Sequence, residues 1–192
     1  MKDLRGKILN VATMLFETRG IHASGIDTII LESGVAKATL YKYFPSKNEL
    51  IIEYLKEKSN KFYLWLDEKL NNKKRDSVEI LLQLCDLYEQ WITSPKFSGL
   101  PFHIGSIEFP DPKHPVHNYS VELSNQLQKY LSKLASIAGV KDAKTLGQQL
   151  TIIFEGGALI ERLSPGSGAA KRAKKAAITL IKASLNHPKL LS

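Results

Sequence analysis

Apolar residues along this chain recur at steps of three and four, and alternation at every second position is hard to find, so the pattern predicts helices rather than strands. Leu4, Ile8, Val11, Ala12 and Leu15 form one stripe, which predicts an amphipathic helix over 3–18 that Gly20 ends. Ser24 and Asp27 read as a capping box, with Asp in place of Glu, at the head of a second helix carrying Ile26, Ile29 and Ile30. Gly34 breaks that helix. A short third helix is predicted over 37–43 and closed by Phe44-Pro45-Ser46. Ser46 and Glu49 make a second capping box, which starts a long helix to about Leu70.

Asn71-Asn72-Lys73-Lys74 reads as a polar break. Residues 76–93 predict a helix with Val78, Leu81, Leu82, Cys85 and Tyr88 on one face. The stretch from Ser94 to Pro115 holds five of the eight prolines and predicts turns around one short helix. Residues 116–138 and 143–163 predict two more helices, parted at Gly139. A loop over 164–168 precedes a last helix over 169–185, whose stripe is Ala177, Leu180, Ile181 and Ser184 with the cations on the wet face. The expected class is all-α, with about nine helices: a three-helix unit over 1–46, then a larger helical body over 47–192.

Composition narrows the setting. Hydrophobic residues make up 43% and charged residues 24% of 192, an ordinary globular balance. No stretch approaches the roughly 20 apolar residues of a membrane span, and the first residues lack a signal-peptide core. Cys85 is the single cysteine and has no partner for an internal disulfide, so a reducing, cytoplasmic setting is expected, with no membrane partner. Net charge is +8, but residues 1–50 carry only +2 of it and residues 168–192 carry +6. Bulk charge therefore does not by itself make the N-terminal part a nucleic-acid binder.

Local geometry is more specific. Residues 26–45 fit two short helices meeting at a glycine turn, the helix-turn-helix arrangement. Ile29, Val35 and Leu40 would lock the pair, and Leu40 and Phe44, four apart, would face inward. That leaves Lys37, Ala38, Tyr41 and Lys42 outward and Tyr43 half in each role. Two cations, a phenol and a small residue on a short exposed helix suit a major groove.

The span from Phe16 to Leu50 resembles the DNA-binding domain of the TetR family of transcriptional repressors, through Phe16, Gly20, Ala23, Ile29, Gly34, Val35, Thr39, Leu40, Tyr41, Phe44, Lys47 and Leu50. The resemblance implies a homodimer on a palindromic double-stranded operator. Tyr41 and Lys47 match phosphate-binding positions, Lys37 and Ala38 match positions near base edges, and Thr39 and Lys42 come next. The expected DNA-contacting set is Ser24, Gly25, Ala36, Lys37, Ala38, Thr39, Tyr41, Lys42, Tyr43 and Lys47. Three departures stand out: Ala36 and Gly25 replace hydroxyl residues common in the family, and Ile30 replaces a small one. The segments GLPFHIGSIEFPDPKHPVHN and AGVKDAKTLGQQLTIIFEGGALIERL are similar to a subgroup that carries EFPDP-x-HP.

The resemblance also implies that the body binds a small effector and dimerises. Gly156, Gly157 and Ala158 fall inside a helix, where small residues admit a close neighbour. They and Leu180 are assigned to a dimer face over 146–162 and 170–185. An apolar or aromatic effector would lie among Trp65, Tyr88, Trp91, Phe102, His103, Ile107, Leu123 and Phe154. Glu108, Asp111, His114 and His117 are metal-ligand types close in sequence, but Asp-Pro and His-Pro are also ordinary turn pairs, so no metal and no cofactor is assigned. No phosphate loop, nucleophile elbow or HExxH motif points to an enzyme. A regulator without an effector, or an activator, is the alternative reading.

Overall fold

The computed structural model describes residues 3–70, 76–95 and 97–186, and the expected polar break at 71–74 lies outside them. Among the described residues the chain forms nine α-helices and no strand. They are α1 (Leu4–Arg19), α2 (Ile26–Ser33), α3 (Lys37–Tyr43), α4 (Lys47–Leu70), α5 (Ser77–Ile92), α6 (Pro101–Glu108), α7 (Pro115–Ile137), α8 (Ala143–Leu163) and α9 (Ala169–Asn186). All but α6, for which only one short helix between Ser94 and Pro115 is expected, lie within a residue or two of their expected bounds. No described helix is long and apolar enough to cross a membrane.

The chain divides into two compact units. The first takes the residues up to Lys61 and Pro101–Val121; the second takes Phe62–Leu100 and the residues from Glu122 on. In the first, Ile8, Ala12, Leu15 and Phe16 of α1 are buried with Ile29 of α2, Leu40 of α3, and Leu50, Ile51, Tyr54 and Leu55 of α4. Phe16 meets Tyr54 edge to face at 5.3 Å.

Four helix starts carry side-chain caps, and one expected cap is not made. Asp3, Asp76 and Asp142 accept backbone N–H bonds from Gly6, Glu79 and Thr145 at the heads of α1, α5 and α8. Ser46 accepts from the Glu49 N–H at 3.2 Å, as its capping box predicts. Ser24 does not cap α2. Its hydroxyl donates instead to the Gly20 carbonyl at 2.7 Å and is fully buried, which leaves Gly25 as the N-cap with no side-chain bond. The carbonyl four residues back captured the group that sequence spacing had given to the helix ahead.

The second unit packs α8 against α9 and α5. Phe154 stacks on Tyr88 with centroids 4.3 Å apart, and the Tyr88 hydroxyl donates to the Phe154 carbonyl at 2.7 Å. Gly157 lies so close to α9 that an added Cβ would stand 2.6 Å from the Cβ of Ala173 and 2.5 Å from the Tyr88 oxygen. The small residues at 157 and 158 therefore serve packing inside the subunit.

Two ionised groups in this unit escape the helical pattern. Lys174 leaves the expected wet face of α9 and reaches Asp86 at 2.8 Å and Glu89 at 2.6 Å on α5, which raises its pKa. The buried Glu161 turns its carboxylate to the 164–168 loop. There it accepts from Gly166 N at 2.8 Å and Ala170 N at 3.1 Å, and from the Ser167 hydroxyl. Glu161 thus caps α9 from outside that helix. The bonds to Ala170 and its neighbours hold its pKa below the ordinary 4.5 despite burial.

A depressed carboxyl stabilises the fold fully above its unfolded-state pKa, and that contribution is lost as pH falls through the folded value. Glu161→Gln is expected to flatten the acid limb of the stability–pH curve below 4.5 relative to the native chain, measured by urea unfolding. Glu161→Ala is expected to cost about 1–3 kcal/mol at neutral pH, because the buried Ala170 N–H loses its acceptor.

Candidate nucleic-acid interface

The helix-turn-helix geometry rests on Gly34. It sits at φ 61°, ψ 32°, a left-handed conformation that costs a side chain dearly, and its N–H closes α2 onto the Ile30 and Leu31 carbonyls. Ala36 follows in extended conformation. Its carbonyl accepts from Thr39 N and Leu40 N, which starts α3 without any side-chain cap. Leu40 and Phe44 are buried at 0% and 1% exposure, four residues apart on one side. At 100° per residue, Ala38 and Lys42 point the opposite way, with Lys37 and Tyr41 on one flank and Thr39 and Tyr43 on the other. Lys37, Ala38, Tyr41 and Lys42 are exposed; Thr39 and Tyr43 are half-buried.

Several cations near this surface are committed elsewhere. Arg5 pairs with Glu53 and lies over the Phe44 ring at 5.2 Å. Arg19 pairs with Glu32 at 3.1 Å, and Lys58 with Glu17. The half-buried Lys47 donates to the Ile21 carbonyl at 2.8 Å, and desolvation lowers its pKa against the pull of Glu108. In this geometry Lys47 holds the domain's own turn. Ser24 is likewise turned inward, while Gly25 and Ala36 are exposed. Lys7 is an exposed cation that sequence reasoning passed over. Its Nζ stands 3.7 Å from where a Cβ on Gly34 would lie, at the motif's turn.

The end of α6 joins the same unit. The Glu108 carboxylate accepts from Ile21 N at 3.0 Å and His22 N at 2.7 Å, and the His22 Nε2–H donates back to the Glu108 carbonyl at 2.6 Å. The His22 ring packs on Phe109 at 4.7 Å. No local pattern announces these bonds, which span 86 and 87 residues.

The other members of the Glu108, Asp111, His114 and His117 group are engaged too: His117 Nδ1–H donates to the Phe109 carbonyl, His114 Nδ1 accepts from Val116 N, and Asp111 accepts from Lys113 N. Among the described residues no three His, Cys, Asp or Glu side chains cluster closely enough for a metal ion.

The expected effector-lining residues divide between the units. Phe102, His103 and Ile107 lie in the first; Trp65, Tyr88, Trp91, Leu123 and Phe154 lie in the second. Besides the Tyr88–Phe154 stack, the second holds a half-buried ring cluster in which Phe62 meets Trp91 at 4.5 Å and Trp65 at 6.1 Å, and Phe97 meets Trp91 at 5.1 Å. Phe62 and Phe97 were missed because single aromatics at helical spacing are indistinguishable from core. Cys85 is buried and its thiol pKa is pushed up to about 12, chiefly by desolvation, so it is no nucleophile.

A left-handed glycine turn, an inward Leu40 and Phe44, and a short helix with exposed cations define a helix-turn-helix DNA-binding protein. Residues 8–54 match the model of bacterial regulatory proteins of the tetR family. The chain is 28% identical to the uncharacterized HTH-type transcriptional regulator YxaF of Bacillus subtilis, over 82% of this chain and 84% of that one. It is 27% identical to the HTH-type transcriptional regulator LmrA of Bacillus subtilis, over 86% and 89%. The crystal structure of a TetR-family transcriptional regulator from Streptomyces coelicolor superposes with TM-score 0.84 at 25% identity, covering 94% of this chain and 95% of that one. Residues 8–54 thus match the tetR-family model, and over most of its length the chain is similar to HTH-type transcriptional regulators.

Glu108→Ala is expected to leave the buried Ile21 N–H unpaired and to destabilise the first unit by about 1–3 kcal/mol. Hydrogen exchange at Ile21 and His22 should accelerate more than at α8 amides, and uniform acceleration would contradict a local role.

Proposed function

We propose that this regulator is a homodimeric repressor released from a palindromic operator by a small aromatic or apolar effector, and that it belongs to the subgroup with the EFPDP-x-HP segment. Operator contacts are made by α3, with Ala38 and Lys42 facing the groove and Lys37, Thr39, Tyr41 and Tyr43 on its flanks. Residues 1–46 carry DNA binding, and residues 47–192 carry effector binding and dimerisation. The observation that carries the effector-release reading is the Glu108 latch. The end of a helix outside the three-helix motif is bonded directly to the turn between α1 and α2, so displacing α6 would move the motif it holds.

Dimerisation is supported by an apolar face on α8 and α9. Ile152 and Leu163 are 72% and 76% exposed, and Leu159 and Ile160 stand beside them on the same helix. A lone subunit rarely leaves so many large apolar groups on one helix in water. Gly156 has open space around it and Leu180 is half-buried, so these two remain with the face, whereas Gly157 and Ala158 lie inside the subunit. The ring cluster around Trp65 and Trp91 in the second unit supports an aromatic effector.

The deciding experiment titrates the protein against the duplex upstream of its own gene and a scrambled duplex, at two salt concentrations. Specific binding at one or two dimers per site supports the reading. Equal, steeply salt-dependent binding to both duplexes would defeat it for that operator. Lys42→Ala is expected to weaken operator binding roughly tenfold, with a smaller loss on the scrambled duplex. Ile152→Glu combined with Leu163→Glu is expected to yield a folded monomer by light scattering, with DNA affinity lost.

A further inference from the structure

One anion stands on the surface that meets DNA. Asp27, in the first turn of α2, holds Oδ1 3.7 Å from Nζ of Lys37 at the head of α3. The two side chains are 90% and 67% exposed, so this long pair contributes almost nothing to folding. A carboxylate in the first turn of α2 suits the helix dipole modestly. Against a duplex, however, it repels every phosphate and lowers affinity for all sequences alike. The outward position of Asp27 therefore has a cost for binding that a neutral residue would not have.

The chemistry of the major groove shows what would offset that cost. A carboxylate only accepts hydrogen bonds, and the groove's donors are the amino groups of cytosine and adenine. An ammonium only donates, and guanine offers it two adjacent acceptors, O6 and N7. Asp27 and Lys37 present an acceptor and a donor side by side. A G·C base pair presents the complementary set, with guanine O6 and N7 beside cytosine N4. Lys42 differs, because it is exposed and no ion partner stands beside it among the described residues.

We propose that the Asp27–Lys37 pair reads a G·C base pair in each operator half-site, Lys37 on guanine O6 and N7 and Asp27 on cytosine N4. Asp27 is thereby a specificity-determining residue: it penalises every site that offers no amino group at that position. This inference rests on reading α3 as the recognition helix.

The test uses the full chain and a duplex enriched by it from a randomised pool. The enriched duplex should carry a G·C pair at one position repeated symmetrically in the two half-sites. Replacing that pair by A·T, or its guanine by 7-deazaguanine, should weaken the native chain roughly 5- to 100-fold. The same replacements should leave the Asp27→Ala, Lys37→Ala double variant nearly unchanged. Asp27→Ala alone should bind a scrambled duplex more tightly than the native chain, with the ratio of specific to scrambled binding reduced by the same 5- to 100-fold. An unchanged ratio at unchanged melting temperature would overturn the inference. So would a fall in specific binding with lower melting temperature and no gain on scrambled DNA, which would make Asp27 a structural residue of α2. If the native chain binds enriched and scrambled duplexes alike, the regulator reading falls and takes this inference with it.

Discussion

Two buried side chains, Leu40 and Phe44, hold the short helix α3 in place. Seven residues are too few for a stable helix in water, because nucleation costs more than so few hydrogen bonds return. Helix α3 also begins at Ala36 without a side-chain cap. Its helicity is therefore supplied from below, where Leu40 and Phe44 are buried in the core shared by α1, α2 and α4. Arg5 over Phe44 adds a cation above the second anchor. With the inner side fixed, the helical period dictates which side chains face outward. The outward chemistry of α3 is thus a geometric consequence of the core.

The helical plan was legible because it is carried by short-range signals. The apolar stripes, Gly20, Gly34 and the Ser46–Glu49 box act over a few residues, and each mapped onto a boundary within a residue or two. What the sequence did not disclose acts at a distance or depends on competition. Ser24 could accept from an N–H of the helix ahead or donate to a carbonyl behind it, and its hydroxyl donates to the Gly20 carbonyl. Lys47 fits a phosphate position by sequence, yet its ammonium lies on the Ile21 carbonyl. Gly157 and Ala158 looked like a surface for another chain, but small residues equally admit a neighbour from the same chain; Ala173 is that neighbour for Gly157, and Ala158 is buried. The partners of Glu108 lie 86 and 87 residues away, beyond any periodicity.

The second unit shows the same division of labour between apolar packing and a few ionised groups. Glu161 and Lys174 both carry charge in surroundings that penalise it, and both are compensated by several partners rather than one. Their partners lie on other elements, so each ties a loop or a helix to its neighbour. Glu161 fixes where α9 begins, and Lys174 fixes how that helix is rotated against α5. Together they set the orientation of α9, and with it the outward side that Leu180 and its neighbours present.

Cys85 has a practical consequence of a different kind. It is the only thiol in the chain, fully buried on α5, and its proton is held well above neutral pH. A thiol reagent cannot reach it while the second unit is closed, and no other sulfhydryl competes for the label. The rate at which the sulfur reacts is therefore a clock for the opening of that unit, readable in the unmodified protein without any added probe.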